Sequence, residues 1–394
     1  MTIMPRAHFQ IKNRFQKRSE LYQDILTPTI LEDVCLRVTG QSNYTVAFDN
    51  SGYNKGRLAI IEFQGAISYV SFSEAEIRAR NSSFQSFPSA LVSYHKEQNP
   101  NKRICFYFLP STGNIETAYF IFMYRLMKTA RTEFLNETDY LTTPIAPFST
   151  VEDIIVHKDS IRGRNRGNIS TYLTRNSEGT LQIYGKTYGA NKYETTLLCL
   201  AISEITTSNT ELYEIQEGNL RKLPRSAREV IDAIDKITII TSDLMLERKE
   251  YEDNDSLRSP TFTYNLLEKL GNKKCALCEC EIPQLIQSAH IWPVDSIKRT
   301  NNINQEQKLQ SALDGDNGIW LCNNHHKLFD INLLLINKDG RIKYKSNIRQ
   351  TDGNYIRDVT INYQIRQEIL TSNFIQYLEK RNSLINERDY SFIE

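Results

Sequence analysis

The stretch Asp314–Asp330, DGDNGIWLCNNHHKLFD, sets a Gly/Asp-rich turn before an apolar run, then a cysteine, then two adjacent histidines. In a chain with 6 histidines, His325 and His326 side by side imply either a spare residue or two different tasks. The residues around the pair have helical character, and on a helix His326 and Asp330 stand four apart on one face. A histidine and a carboxylate so placed suit a divalent cation. Upstream, QLIQSAHIWPV alternates as a strand does and carries His290. Between them, GDNGIWLC offers a turn at Asn317 leading into a second strand. The order is strand with histidine, turn with asparagine, strand, helix with histidine.

The cysteines are unevenly spread. Cys35, Cys105 and Cys199 sit in apolar surroundings and read as core residues, whereas Cys275, Cys278, Cys280 and Cys322 crowd into one region with His290, His325, His326 and both tryptophans. Cys275-Ala-Leu-Cys278 and Cys322-Asn-Asn-His325 form a CxxC…CxxH pattern. Zinc takes four thiolate or imidazole ligands in a tetrahedron, and two knuckles of this spacing supply two each. Lys273 and Lys274 precede the first pair, where basic flanks favour ionised thiols. Cys280 stands as an alternative to Cys278 or as a free thiol.

Together CALC, SAHIWP, DGDNG, LCNNHHKLFD and the trailing INKDGRIKYKS resemble an HNH nuclease of the ββα-metal type, over residues 275 to about 345. The resemblance implies His290 as general base, Asn317 as the central asparagine and His326 as the helix-borne ligand of a catalytic cation. It also implies Cys275, Cys278, Cys322 and His325 as the structural zinc set, with His325 where many members carry cysteine. Ala289 occupies the position before the base where many members place a metal ligand. Helix geometry suggests Asp330, one turn beyond His326, as a substitute. The implied chemistry is phosphodiester hydrolysis. A neutral histidine takes a proton from water, and a hard cation, Mg²⁺ or Mn²⁺, offsets charge on the phosphate and leaving oxygen. Asn317 would orient the base through its backbone carbonyl or reach the metal through its side-chain oxygen.

The bulk numbers permit this reading without demanding it. With 394 residues the chain has room for two domains, and 48 basic against 47 acidic residues leave partner charge to local clusters. No run approaches the roughly 20 apolar residues of a membrane span. The first twenty residues lack an export signal's apolar segment, so reduced thiols and a cytoplasmic location are expected.

Ahead of the Cys/His region, YTVAFD, GRLAIIEFQG, ISYVSFS and KRICFYFLP read as strands, and IETAYFIFMYRLMKTARTEFLN as one long helix entered by a turn at Thr112, Gly113 and Asn114. SAREVIDAIDKITIITSDLMLERKE reads as helix, YEDNDSLRSP as a linker closed by Pro260, and INYQIRQEILTSNFIQYLEKRN as a terminal helix. The strongest nucleic-acid signal is HKDSIRGRNRGN. There Gly163 and Gly167 would let Arg162, Arg164 and Arg166 approach phosphates, unless the segment is simply a solvated basic loop. Asn13, Arg14, Lys17 and Arg18 form a second basic stretch that reads as a solvated helix face, and YGKTYGANKYET reads as a hairpin turn. Asp49 with Glu62 and Gln64 faintly echoes the Asp…Glu-x-Lys arrangement of restriction enzymes. No P-loop is present, which disfavours an ATP-driven translocase.

The expected architecture is α+β: a large N-terminal mixed α/β recognition and dimerisation domain (1–255, with a break near 142–150), a small zinc-stapled ββα-metal domain (256–350), and a C-terminal helical tail (351–394). The expected function is a metal-dependent endonuclease on double-stranded DNA, of the kind seen in type II restriction enzymes, which usually work as homodimers. The alternatives are a nicking or defence-effector nuclease and a zinc-containing DNA-binding protein without catalysis.

Overall fold

The computed structural model describes residues 5–12, 25–49, 58–73, 87–110, 117–162, 170–187, 191–216, 222–254, 257 and 259–393. The chain divides into two compact units. One comprises Met1–Thr171, Lys186–Ser208 and Arg221–Thr238, and the other Tyr172–Gly185, Asn209–Leu220 and Ile239–Glu394.

In the first unit, strands β1 (Ala7–Lys12), β2 (Tyr44–Asp49), β3 (Leu58–Phe63), β4 (Ala66–Phe72), β5 (Lys102–Tyr107) and β6 (Glu133–Phe134) form a mixed sheet in the order β2-β1-β3-β4-β5-β6. Strand β3 is antiparallel to both neighbours, and the pairs β1–β2, β4–β5 and β5–β6 are parallel. Parallel pairs need crossovers, here helices α1 (Pro28–Thr39), α2 (Phe87–Lys96) and α3 (Ala118–Thr129). Strand β5 shows how both faces are covered. Cys105 and Tyr107 join the core of Leu31, Val34 and Cys35 from α1, while Phe106 meets Phe87 of α2 and Tyr124 of α3. Alternate side chains of a strand point to opposite faces, so an unbroken apolar run serves two helix layers. Helix α1 starts where the Thr27 side chain caps the Ile30 N–H ahead of Pro28, and ends at Gly40 with φ 77°. Helices α4 (Val151–Arg162), α5 (Asn191–Ile205) and α6 (Arg225–Asp232) follow.

A four-stranded sheet, β10-β9-β8-β7, falls mainly in the second unit and uses β7 (Thr171–Arg175), β8 (Leu181–Lys186), β9 (Thr210–Ile215) and β10 (Ile237–Thr241). Helices α7 (Leu244–Asp253) and α8 (Pro260–Leu270) lead to an antiparallel hairpin, β11 (Ile286–His290) and β12 (Gly318–Cys322). The hairpin's long connection holds α9 (Val294–Arg299) and α10 (Gln305–Leu313), and β12 runs directly into α11 (Asn323–Asp330). A second antiparallel sheet, β13 (Leu334–Ile336), β14 (Ile342–Lys345) and β15 (Tyr390–Phe392), is accompanied by α12 (Gln350–Val359) and α13 (Ser372–Asn382). Phe262 and Leu266 of α8, Ile286 and Ala289 of β11, Ile319 and Leu321 of β12, Phe329 of α11 and Phe374 of α13 share one core. The mixed α/β character and the hairpin followed by a helix agree with the sequence, but several elements differ.

The expected single helix over SAREVIDAIDKITIITSDLMLERKE is helix, strand and helix: α6, β10 and α7. All five residues of β10, ITIIT, are β-branched, which suits a pleated strand better than a helix interior. The long helix ends at Thr129, because Arg131 turns left-handed (φ 60°) and Glu133–Phe134 joins the sheet. The linker is shorter than expected, because α7 runs to Asp253. Pro260 opens α8 as its first residue, with Ser259 capping the Phe262 N–H, where the linker was expected to close. The terminal helix begins only at Ser372. The suggested turn at Thr112–Asn114, the basic stretch at Asn13–Arg18, and Arg164 and Arg166 lie outside the described residues.

Strand register removes the echo of a second nuclease site. Asp49 is level with Lys12 and so with Leu58, whereas Glu62 is level with His8 at the other end. Gln64 has left the strand and forms the β3–β4 turn at φ 48°, followed by Gly65 at φ 78°.

In the first unit, His157 accepts a hydrogen bond at Nδ1 from Arg125 Nη1 (2.7 Å) and lies between the rings of Phe122 and Phe148. Burial first, and then the Arg125 charge, lower its pKa below the ordinary histidine value. The unfolded chain therefore takes up this proton first as pH falls, and stability supplied by neutral His157 is lost progressively below about pH 6.5. Urea unfolding at pH 7 and pH 5 should show this loss, and His157→Gln should flatten the pH dependence while lowering stability at pH 7.

Candidate active site and metal centre

Cys275, Cys278, Cys322 and His325 converge, with their ligand atoms all within 4.8 Å of one another. Cys278 Sγ and Cys322 Sγ are 3.8 Å apart, and His325 Nδ1 is 3.4 Å from Cys275 Sγ and 3.2 Å from Cys322 Sγ. A tetrahedron with Zn–S bonds of about 2.3 Å has sulfur–sulfur edges of about 3.8 Å, so the quartet fits zinc. Cys322 ends β12 and His325 lies in the first turn of α11, so the strand-to-helix junction delivers both as a pair. The Nε2 atom of His325 faces Thr360 Oγ1 at 3.2 Å, which orients Nδ1 toward the sulfurs. Thr360 and its neighbours also brace the first knuckle. The Ile361 and Asn362 N–H groups donate to Leu277 O, and Asn362 Nδ2 donates to Ala276 O at 3.1 Å.

The Cys275 thiol is held below its ordinary pKa, first by its hydrogen bond with Cys322 and then, against burial, by N–H groups of Cys322 and Leu277. The preceding lysines serve other ends than the expected one. Lys273 donates to Arg175 O at 2.9 Å and is pushed down to about 8 by burial, while Lys274 pairs with Glu281 and Glu279. Cys280 stays outside the quartet and accepts the Cys275 N–H through its backbone carbonyl.

His290 ends β11, directly opposite Gly318. Its ring stacks on Phe262 of α8, with centroids 4.0 Å apart and planes 9° from parallel. That stack explains a glycine of DGDNG. A Cβ on Gly318 would come within 2.5 Å of Leu266 Cδ1 and 2.8 Å of Phe262 Cζ. At Gly315 a Cβ would lie 2.7 Å from the backbone oxygen of Asn265. Both glycines let α8 approach the hairpin closely. His290 Nε2 is 2.9 Å from the carbonyl oxygen of Ala312. A carbonyl only accepts, so Nε2 carries the hydrogen and a neutral ring keeps its lone pair on Nδ1. Burial lowers the His290 pKa to about 4, with the charge of His326 acting the same way and the Ala312 bond opposing.

Asn317 is fully buried. Its Oδ1 accepts the Trp292 N–H (2.7 Å), and its Nδ2 donates to Trp292 O (3.1 Å) and Ser311 O (3.0 Å). Its backbone carbonyl accepts the Ile291 N–H at 2.9 Å. Of the two groups of Asn317 considered from the sequence, the backbone carbonyl bonds beside His290 and the side-chain oxygen bonds the Trp292 N–H. Asn317 holds the chain just beyond His290, and Ser311 is the neighbour of the carbonyl that fixes the His290 tautomer.

His326, on the helix face away from the sulfurs, has Nδ1 3.4 Å from Asp330 Oδ2. Both are solvent-accessible, His326 in the middle of α11 and Asp330 at its end. Among the described residues, the zinc quartet forms the one group of three or more His, Cys, Asp or Glu ligands, so no third such donor joins this pair. Ala289, within β11, is fully buried. Arg162 ends α4, in the other unit.

Three contributors escaped the sequence reading: Thr360, Phe262 and Arg381. Arg381 of α13 is buried and donates to Ile291 O, Phe329 O and Asn332 Oδ1. The ends of the Asp314–Asn317 turn are also tied to α13 and the residue before it, through Tyr377 to Asp314 (2.9 Å) and Thr371 to Asp316.

Metal analysis of the purified protein should find one zinc per chain. Cys275→Ser should lose it and unfold the second unit, because structural zinc contributes on the order of 10 kcal/mol in small domains. Gly318→Ala should destabilise by ~1–3 kcal/mol through overpacking, and a crystal structure should show Phe262 displaced from His290.

Residues 275–337 match the HNH endonuclease family. No curated protein sequence matches the chain. With the quartet's geometry and the hairpin–helix order, that match identifies an HNH endonuclease domain within the second unit.

Proposed function

We propose that this protein is a metal-dependent DNA endonuclease in which His290 is the general base. The observation that carries the reading is the His290 tautomer, with Nε2–H on Ala312 O and the ring clamped against Phe262, inside a segment matching HNH nucleases. Nδ1 then takes a proton from water as the water oxygen bonds to phosphorus and the bond to the leaving oxygen breaks. Burial keeps the ring neutral throughout the neutral pH range, which leaves the Nδ1 lone pair unprotonated there. His326 and Asp330 are the residues suited to hold a divalent cation, Mg²⁺ or Mn²⁺. Such a cation, when bound, offsets charge on the phosphate and the leaving oxygen. Asn317 acts as a positioning residue through the backbone of Ile291 and Trp292.

The finer reading is a site-specific restriction enzyme on double-stranded DNA. Residues 1–255 would serve recognition and dimerisation, with Arg162, Arg164 and Arg166 against phosphates, residues 256–350 would form the nuclease and residues 351–394 a C-terminal tail. Working as a homodimer in the cytoplasm would let two sites address two strands. A second reading, a zinc-containing DNA-binding module without catalysis, draws on the lack of a third His, Cys, Asp or Glu ligand beside His326 and Asp330 among the described residues.

Incubating mixed-sequence DNA with the protein and Mg²⁺ or Mn²⁺, followed by end sequencing, separates these readings. Cleavage should be abolished by chelator and reduced ~10²–10⁴-fold in His290→Ala, with DNA binding and zinc content retained. Discrete ends support restriction and scattered ends a nonspecific nuclease. An uncut substrate with every divalent cation would leave the binding module.

A further inference from the structure

We infer that Arg381, far beyond the segment matching the nuclease family, is a positioning residue that sets the spacing between the strand bearing His290 and the helix bearing His326 and Asp330. The inference rests on the nuclease reading above. Arg381 is 4% exposed, and its guanidinium spans two elements of the site. Nη1 donates to Ile291 O at 3.3 Å, one residue past His290. Nη2 donates to Phe329 O, one residue before Asp330, and to Asn332 Oδ1 at 2.9 Å. The guanidinium also lies 3.7 Å over the Phe329 ring.

Each contact has a physical reason. The last carbonyls of a helix lack intrahelical partners, and a cation at that end meets the helix dipole favourably. Phe329 O, in the final turn of α11, accepts the Asn332 N–H at 3.0 Å, and Arg381 adds a second donor together with the matching charge. The strand end at Ile291 has turned toward the Trp292 loop, where Asn317 grips the adjacent peptide. A guanidinium is planar and rigid, with donors in a fixed fork, so it holds two acceptors at a set separation. A lysine ammonium is a single point on a flexible stem and cannot impose that separation. Asn317 anchors the base strand to α10, and Arg381 anchors the same strand to the metal-side helix.

Helix α13 gives this clamp a firm footing. Tyr377, one turn before Arg381, donates to Asp314, and Thr371 at its N-cap donates to Asp316. The helix therefore grips the Asp314–Asn317 turn and the ends of β11 and α11.

The test compares full-length wild type with Arg381→Lys, Arg381→Ala and, as control, His290→Ala. Zinc content and thermal unfolding come first, then DNA affinity and single-turnover cleavage at saturating protein. Misplacement of a catalytic group by about 1 Å costs up to ~10²-fold, so Arg381→Lys should cleave ~10–10²-fold more slowly. Its DNA affinity and zinc content should stay near wild type. Methylguanidinium should restore Arg381→Ala at least several-fold and leave His290→Ala unchanged. Wild-type rate in Arg381→Lys would overturn the inference, as would a loss that follows the fraction unfolded or a shift confined to DNA affinity.

Imidazole ¹⁵N NMR provides a readout independent of cleavage. The His290 and His326 resonances should move in folded, zinc-loaded Arg381→Lys, and unchanged resonances would overturn the inference. If wild type cuts no DNA, the nuclease reading fails while this spectrum still decides the positioning role.

Discussion

The buried amide of Asn317 is the constraint on which the rest of the site depends. Its three hydrogen bonds to backbone at Trp292 and Ser311 satisfy the polar groups of a side chain that water cannot reach. Each such group left unpaired costs about 1–3 kcal/mol, so the turn, the exit of the first hairpin strand and the end of α10 settle together. His290 is placed as a consequence. It sits one residue before the gripped segment, and its Nε2–H finds Ala312 O, beside the Ser311 carbonyl that Asn317 holds. The glycines on either side let Phe262 close under the imidazole.

The quartet of Cys275, Cys278, Cys322 and His325 works from the other end. It ties the Cys275–Cys278 knuckle to the junction of β12 and α11, which fixes the rotation of that helix about its axis. Consecutive helical residues point about 100° apart, so turning His325 toward the sulfurs turns His326 elsewhere. Its Nδ1 lies beside Asp330, one turn on. Two adjacent histidines therefore face different partners on one short helix.

Much of this was legible in the sequence because it depends on local spacing. The CxxC and CxxH pairs bring their ligands within reach whatever the surrounding fold, and His326 and Asp330 meet through helical periodicity alone. The alternation in IQSAH and the turn chemistry of DGDNG likewise mark a hairpin. Less was legible in the first unit, where ITIIT was absorbed into a neighbouring helical pattern although its β-branched residues carried the strand signal. The lysines before Cys275 misled for a related reason: burial and nearby carboxylates, invisible in the sequence, decided where their charges went.

The contacts that no local pattern could announce are those between distant segments. Thr360 reaches His325 across 35 residues, and Arg381 reaches Ile291 across 90. Neither residue type is diagnostic, and each acquires a role only when folding removes water from around it. The amino-acid sequence by itself determined the cysteine and histidine set able to hold zinc, the strand–turn–strand–helix order and the different directions of His325 and His326, because side-chain chemistry and backbone period suffice for these. Only the tertiary structure decided that the side chain of Asn317 bonds to the backbone of Trp292 and Ser311, that His290 Nε2 faces the Ala312 carbonyl, and that the C-terminal helix packs against the segment carrying them. Those outcomes depend on which buried polar groups must find partners, and the partners are brought together by the packing of the whole unit.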